Sequence, residues 1–133
     1  MIRLDAKHFP TLTFSPDDPV LVMVLDQHQR RFVVGEEAAY IEPGVTLGGV
    51  RLELSKWSGL SLLAEVEGQG HVSVDQLPAE LSDICEFEME GGSIRMSGFL
   101  RQARGWCELI FHNPKMAVEY ATWQNTQSHE HTP

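Results

Sequence analysis

The sequence lacks the features that would assign it to a membrane or secreted class. Its longest unbroken apolar run, Val20 to Leu25, is six residues long, whereas a helix that crosses a bilayer needs about 20. The first residues, Met1 to His8, contain no apolar segment of the kind found in secretory signals. We therefore expect no membrane association and a cytoplasmic location.

Cysteine is scarce as well, with 2 residues in a chain of 133, and neither cysteine belongs to a Cys-x-x-Cys pair. This number does not support a disulfide framework or a zinc site, and we expect both thiols to be free and buried. The nearest approach to a metal chelate, His129-Glu130-His131, has no third ligand. The sequence therefore predicts no metal and no cofactor.

Basic residues are missing from a long internal stretch, and this absence limits the kinds of molecule that the protein is expected to bind. Residues 57–94 contain no Lys or Arg, and the formal net charge of the whole chain is −9. Such a chain repels the phosphates of nucleic acids and attracts basic proteins. We therefore expect no nucleic-acid partner. The acidic residues of this stretch are Glu65, Glu67, Asp75, Glu80, Asp83, Glu86, Glu88 and Glu90.

Enzyme motifs are also missing. The fragment Gly59-Leu-Ser-Leu-Leu63 lacks the second glycine of a nucleophile elbow, and neither a glycine-rich phosphate loop followed by lysine nor His-Glu-x-x-His occurs. Glu86, Glu88 and Glu90 recur at intervals of roughly 7 Å along one strand face, a separation that two glycosidase carboxylates could use. A hydrolase that depends on these carboxylates or on His112 stays an alternative, but an enzyme is the less favoured class.

The patterns that are present predict a mainly β protein. Short alternating runs, separated by Gly, Pro and polar turns, indicate an antiparallel β-sandwich or flattened barrel of about eight short strands, with one or two short helical turns. Residues 1–123 are predicted to form a single all-β domain. Residues 124–133 have no apolar side chain and are predicted to be a flexible C-terminal tail.

Three segments outside the clearest strands are interpreted individually. Val20–Leu25 is apolar on both parities and rich in β-branched residues, which is typical of a central strand covered on both faces. Helical turns are expected at Glu36–Ile41, before Pro43, and at Leu77–Asp83, where Pro78 could occupy a first helical turn.

Residues 85–112 give the most specific prediction. Gly91-Gly92 between two alternating runs favours a two-residue primed turn, because glycine adopts positive φ without a steric clash. A four-residue loop at 102–105 then adds a third antiparallel strand, Trp106–His112, in which Cys107 faces Leu100 and His112 lies beside Arg95. The pairs predicted across the first hairpin are Glu90 with Ser93, Met89 with Ile94, Glu88 with Arg95, Phe87 with Met96 and Cys85 with Gly98.

The outer face of these three strands mixes aromatics, arginines and carboxylates, a composition typical of protein interfaces. Ile84 and Ile110 are expected on the same face. Either a second sheet or the helical turn at Leu77–Asp83 covers Phe99 and Trp106, or these two residues form an exposed binding patch. The candidate partner-binding residues are Glu86, Glu88, Arg95, Phe99, Arg101, Trp106, Glu108 and His112.

Two further hypotheses follow for function. The preferred one is a non-catalytic, acidic protein-binding module that engages a basic partner. Immunity and inhibitor proteins of bacteria are similar in size and acidity, and a homodimer is compatible with the same surface. The other hypothesis is a small β-barrel that encloses an apolar ligand, with lining residues from the set Met23, Tyr40, Trp57, Met89 and Met96.

Overall fold

A computed structural model of the protein describes residues 1–125 and confirms the mainly β fold, with two antiparallel sheets arranged as a β-sandwich. Sheet 1 contains β1 (Ile2–Arg3), β2 (Leu12–Thr13), β3 (Val20–Asp26), β4 (Arg31–Ile41), β5 (Val45–Ser55), β11 (Lys115–Tyr120) and β12 (Thr122–Asn125). Sheet 2 contains β6 (Gly59–Val66), β7 (Gly70–Ser73), β8 (Glu86–Glu90), β9 (Ser93–Phe99) and β10 (Trp106–His112).

Sheet 1 is built on the long hairpin of β4 and β5. Each of these strands is bordered by two shorter ones, because β3 and then β2 pair with β4, while β11 and β12 pair with β5. The strand β1 pairs with β11 and forms one edge. The β12 strand extends to Asn125, and the remainder of the predicted tail, with His129 and His131, lies outside the described residues.

Sheet 2 has the strand order β7-β6-β10-β9-β8, and its first predicted hairpin is confirmed. The pairs Glu90 with Ser93 and Glu88 with Arg95 have the expected register. The prediction for β10 was wrong by two residues, since Cys107 faces Gly98 instead of Leu100. The turn is longer than expected because it contains a 3-10 helix, Arg101–Ala103. A hydrogen bond from the Leu100 amide to the Gly105 carbonyl, 2.7 Å long, closes the loop around this helix.

The apolar side chains predicted to face inward on β9 and β10, among them Ile94, Met96, Leu109 and Phe111, are nevertheless buried, whereas Met89 of β8 is 44% exposed. Strand side chains alternate with a period of two, so a register shift of two residues leaves every side chain on its original face. Phe111 of β10 and Phe32 of β4 join the two sheets, with ring centroids 5.2 Å apart, and Trp57 packs edge-to-face on Phe111 at 5.0 Å. All three side chains are buried, and each contributes roughly 2–3 kcal/mol of hydrophobic stabilisation.

The structure corrects the interpretation of Val20–Leu25. This segment belongs to β3, which among the strands of residues 1–125 pairs with β4 alone and therefore lies at an edge instead of in the centre of a sheet. Leu21, Val22 and Val24 are each about half exposed. Apolar residues on both parities had indicated two covered faces, but only Val20 and Met23 are buried in the core.

The two predicted helical turns were also wrong. Glu36–Ile41 continues the strand β4, because it is paired on β5 along its length. Leu77–Asp83 contains no helix; its last residues bond to the end of β9 and to β3 instead. The short helices are the 3-10 turns at Ala6–Thr11 and Arg101–Ala103. Within residues 1–125, no helix has the length and apolar character to traverse a bilayer.

The cysteines are both free, but they differ in burial. Cys107 is fully buried, as predicted, whereas Cys85 is only half-buried. Desolvation is the main cause that raises the pKa of Cys107 to about 12 and that of Cys85 to about 11. Both thiols are therefore protonated near neutral pH, which is the inert form for nucleophilic chemistry.

Candidate protein-binding surface

The candidate surface is the outer face of sheet 2, where β8, β9 and β10 lie side by side. Alternation along the strands turns Phe87, Met96 and Phe111 inward and leaves the intervening residues outside. We call this set of outward side chains the outer face. Its members are Glu86, Glu88, Glu90, Ser93, Arg95, Ser97, Phe99, Trp106, Glu108, Ile110 and His112.

Arg95 is the centre of the charge pattern on the outer face. Its guanidinium donates to Glu108 at 3.0 Å, forms an ion pair with Glu88 at 3.0 Å, and reaches Glu86 at 3.3 Å. Desolvation lowers the pKa of Arg95, but the three carboxylates outweigh it and raise the pKa overall. The single positive charge of Arg95 is thus shared among three carboxylates, and the cluster as a whole has a net negative charge.

Glu86 is held in its ionised form. The Ser97 hydroxyl donates to it at 2.7 Å, and this hydrogen bond, followed by the Arg95 contact, lowers the pKa of Glu86. A glycosidase acid needs the opposite change, because burial away from cations must raise its pKa. The sequence of alternating glutamates therefore forms a charged surface rather than a matched pair of acid and base.

Phe99 and Trp106 form an aromatic pair at one end of the outer face. The rings pack edge-to-face with centroids 5.1 Å apart, and Phe99 is 51% exposed. Trp106 is partly buried, so the structure exposes one of the two residues and leaves the other partly covered. The Phe99 backbone is fixed, since its amide donates to the Asp83 carboxylate at 3.0 Å and its carbonyl accepts from the Ser82 amide at 2.8 Å.

Ile84 does not belong to the outer face. It was expected beside Phe99 and Trp106, but it is fully buried in the core. The chain before β8 leaves the sheet because the segment from Leu81 to Asp83 pairs with the end of β9 and with the start of β3. This crossing turns Ile84 inward and explains the difference.

Arg101 lies in the turn after β9, and its guanidinium is directed to backbone groups. It donates to the Val20 carbonyl at 2.6 Å and to the Leu81 carbonyl at 3.4 Å, with Glu80 at 4.0 Å. The arginine thus ties the start of β3 to the crossing segment. The structure does not bring it into contact with the Arg95 cluster.

His112 lies at the end of β10, away from Arg95. The observed register places it opposite Ser93, whose hydroxyl is 3.2 Å from the imidazole Nδ1. Ile110 occupies the position beside Arg95 that was expected for His112. His112 therefore lies at one end of the outer face, opposite Ser93, and the predicted polar row through His112, Arg95 and Glu88 is wrong.

The residues proposed to line an apolar cavity have different surroundings. Met23, Trp57 and Met96 are packed in the core, whereas Met89 is 44% exposed. The Tyr40 hydroxyl donates to Asp18 at 2.7 Å. Residues 1–125 also contain no group of three or more His, Cys, Asp and Glu side chains arranged to hold a metal ion.

The sequence analysis missed one unusual residue, Glu36 of β4. Its side chain is 2% exposed, and neither carboxyl oxygen has a hydrogen-bond partner among the described residues. Desolvation, followed by the nearby charges of Asp18 and Asp83, raises its pKa to about 8. The signal was its parity, since Glu36 follows the inward residues Phe32 and Val34 once 31–41 is treated as one strand.

Comparisons with protein-family models, curated proteins and solved structures find no match to this chain. The function is therefore argued from the surface itself.

Proposed function

We propose that this protein is a non-catalytic, acidic protein-binding module whose outer face of sheet 2 engages a basic partner protein. The observation that carries the proposal is the pair of the exposed Phe99 and the partly buried Trp106, held on two paired strands and adjoining the Arg95 carboxylate cluster. Aromatic residues and arginine are enriched at the centres of protein interfaces, where they supply most of the binding energy. An immunity- or inhibitor-like role in the cytoplasm is one form of this proposal.

Charge supports the choice of a basic partner. Glu86 and Glu88 keep about half of their side-chain surface exposed although both contact Arg95. The net charge of −9 and the absence of Lys and Arg from residues 57–94 add a longer-range negative potential. Such a potential accelerates encounter with a cationic surface and weakens as salt is added.

The charged and the aromatic side chains are expected to affect different rate constants of binding. The carboxylates lie in solvent and act mainly on the association rate, whereas burial of an aromatic ring at an interface slows dissociation. Phe99 is the better anchor because more than half of its ring is free to be covered. Trp106 supports the ring of Phe99 from the side.

The test is a capture experiment from extract of the source cells. The bait is the wild-type protein, the double variant Glu86→Lys/Glu88→Lys, or the single variant Phe99→Ala. A matched control, Glu37→Lys/Glu42→Lys, makes the same change in net charge at exposed positions of sheet 1. We expect a basic protein that binds the wild type and the control at low salt but neither of the outer-face variants.

Two results of this experiment count against the proposal. One is a bound protein that all four baits retain equally, since that would place its contact elsewhere on the surface. The other is loss of binding with the sheet 1 control as well as with the double variant, which would reduce the interaction to net charge without a defined site.

A further inference from the structure

The strand β3 presents a second surface, on sheet 1, that the outer face does not include. One of its sides is paired with β4. On the other side, its first residue is engaged, because the Val20 amide donates to the Ser82 carbonyl at 2.9 Å and the Val20 carbonyl accepts from Arg101. For residues 21–26, the described part of the chain provides no backbone partner beyond β4, which leaves donors and acceptors along this edge unpaired.

The side chains of this edge are unusually apolar for an unpaired strand. Leu21 is 55% exposed, Val22 is 50% exposed and Val24 is 46% exposed. Edge strands are usually protected from pairing by lysine, proline or an inward charge. None of these occurs between Val20 and Leu25. A register irregularity lies at the start of β3, between Val20 and Val22, so it is the regular part of the strand from Val22 onward whose backbone and side chains are suited to take up another strand.

An open groove runs along the same edge. It has a volume of about 670 Å³ and lies between residues 23–28 on one wall and the segment that includes Gln76, Leu77, Ala79 and Glu80 on the other. The second wall is fixed at both ends, since Gln27 Nε2 donates to the Asp75 carbonyl at 2.8 Å and the Leu81 amide donates to Met23 Sδ at 3.3 Å. The groove is therefore part of the fold.

The charge of the groove selects its occupant. Its lining contains the carboxylates of Asp26 and Glu80 and no Lys or Arg. The cations close to its ends are engaged elsewhere: Arg101 binds the Val20 and Leu81 carbonyls, and Arg31, opposite Asp26 in the β3–β4 hairpin, forms an ion pair with Glu53 at 2.7 Å. A second copy of this chain, with its net charge of −9, is repelled from such a site, whereas a basic segment is attracted.

We propose that the free edge of β3 and the adjoining groove bind an extended segment of a partner protein, in which apolar side chains alternate with Lys or Arg. The segment adds a strand to sheet 1 through backbone hydrogen bonds. Its apolar side chains contact Val22 and Val24, and its basic side chains, which alternation places on the opposite face of the added strand, lie on the side of the groove that carries Glu80. This is the β-augmentation mode of peptide recognition, in which the backbone gives affinity and alternate side chains give specificity.

The test uses a synthetic peptide of alternating Lys and Val with blocked termini, titrated into the protein by fluorescence anisotropy. Two matched peptides serve as controls, one with Glu in place of Lys and one with N-methylated amides at alternate residues. We expect the basic peptide to bind and to slow amide hydrogen exchange in residues 21–26. Both control peptides should bind weaker by on the order of tenfold or more.

Protein variants then locate the site. Val24→Lys places a cation on the edge, where lysine is well tolerated in edge strands, and Glu80→Lys reverses a charge of the groove. Each should weaken binding on the order of tenfold, whereas the control Glu42→Lys, at an exposed position in the turn after β4 that lies outside both the groove lining and the outer face, should leave binding and thermal unfolding unchanged. Retained exchange protection in β4 shows that Val24→Lys is folded.

Several outcomes would overturn this proposal. Equal binding of the N-methylated peptide would show that no strand is added, and equal binding of the acidic peptide would remove the charge argument. If the peptide does not bind, and sedimentation shows that the wild type forms a dimer that Val24→Lys abolishes, the edge of β3 would be the contact between two copies of this chain. Because Phe99→Ala leaves β3 unchanged, loss of the outer-face interaction does not decide this test.

Discussion

Glu36 and Glu86 are glutamates on β-strands of the same sandwich, yet their surroundings move their pKa values in opposite directions. Glu86 accepts hydrogen bonds from Ser97 and Arg95 at the surface, and its pKa is lowered. Glu36 faces the core, where the described residues offer its carboxyl group no hydrogen-bond partner, and its pKa rises to about 8. The difference shows that partners and solvent, not residue type, decide which carboxylate is available to attract a basic protein.

Ionisation of the buried Glu36 is therefore expected to lower the stability of the fold, whereas the surface contacts of Glu86 favour its ionised form. A buried acid is tolerated only in its neutral form. On the outer face, Ser97 and Arg95 lower the pKa of Glu86, whose side chain remains about half exposed. Three predictions test this contrast between the interior and the outer face.

The largest expected effect comes from the variant Glu36→Gln. In the unfolded chain Glu36 loses its proton above the usual pKa of 4.5, whereas in the folded protein it keeps the proton up to about pH 8. The free energy of unfolding therefore falls as the pH rises from 4.5 to about 8. At about 1.4 kcal/mol per pH unit, the loss approaches about 5 kcal/mol above pH 8. We expect Glu36→Gln to recover most of this loss at pH 9 and to have little effect at pH 5.

Urea unfolding of wild type and Glu36→Gln at these two pH values checks the prediction. The neighbouring exposed residue provides a matched control, since Glu37→Gln should change stability by less than about 0.5 kcal/mol at either pH. A gain of equal size at both pH values would mean that the ionisation of Glu36 is not the cause.

The next effect compares an inner with an outer aromatic on sheet 2. Phe111 is fully buried between the sheets, so Phe111→Ala should lower the free energy of unfolding by about 3–5 kcal/mol. Phe99→Ala should lower it by less than about 1 kcal/mol, because half of that side chain is already in solvent. Chemical denaturation measures both. Similar losses would make Phe99 a structural residue and remove it as a binding anchor.

The smallest expected effect concerns Arg95. Replacing it in Arg95→Gln leaves Glu86, Glu88 and Glu108 without their shared cation. We expect a loss of about 1 kcal/mol at low salt, because exposed ion pairs contribute little individually and a network contributes somewhat more. Thermal unfolding at increasing salt should show this loss shrinking. A loss that salt does not change would indicate packing of the arginine stem instead.

The hairpin of β8 and β9 was predictable because two local signals agree there. Alternation of apolar and charged residues defines the faces, and Gly91-Gly92 defines the turn. The register of β10 was off by two residues because the turn after β9 uses a 3-10 helix with Gln102 at positive φ. A non-glycine residue at positive φ carries no strong sequence signal.

The edge position of β3 and the burial of Glu36 could not be read from local patterns. Both depend on which strands are neighbours, and that is decided by contacts far apart in the sequence. Met23 packs beside Leu81, for example, and Arg101 bonds to Val20. The exposure of Phe99 likewise depends on tertiary packing, because sheet 2 packs on sheet 1 through the face that carries Phe111 and leaves the face with Phe99 and Trp106 uncovered by sheet 1.

The most direct test of the central claim is the association rate between this protein and a captured basic partner, measured against ionic strength. For wild type, we predict a rate that falls steeply with added salt. The Glu86→Lys/Glu88→Lys variant should associate more slowly and with a flatter salt dependence than the Glu37→Lys/Glu42→Lys control. Identical rates and identical salt dependence for the two variants would contradict the assignment of binding to the outer face.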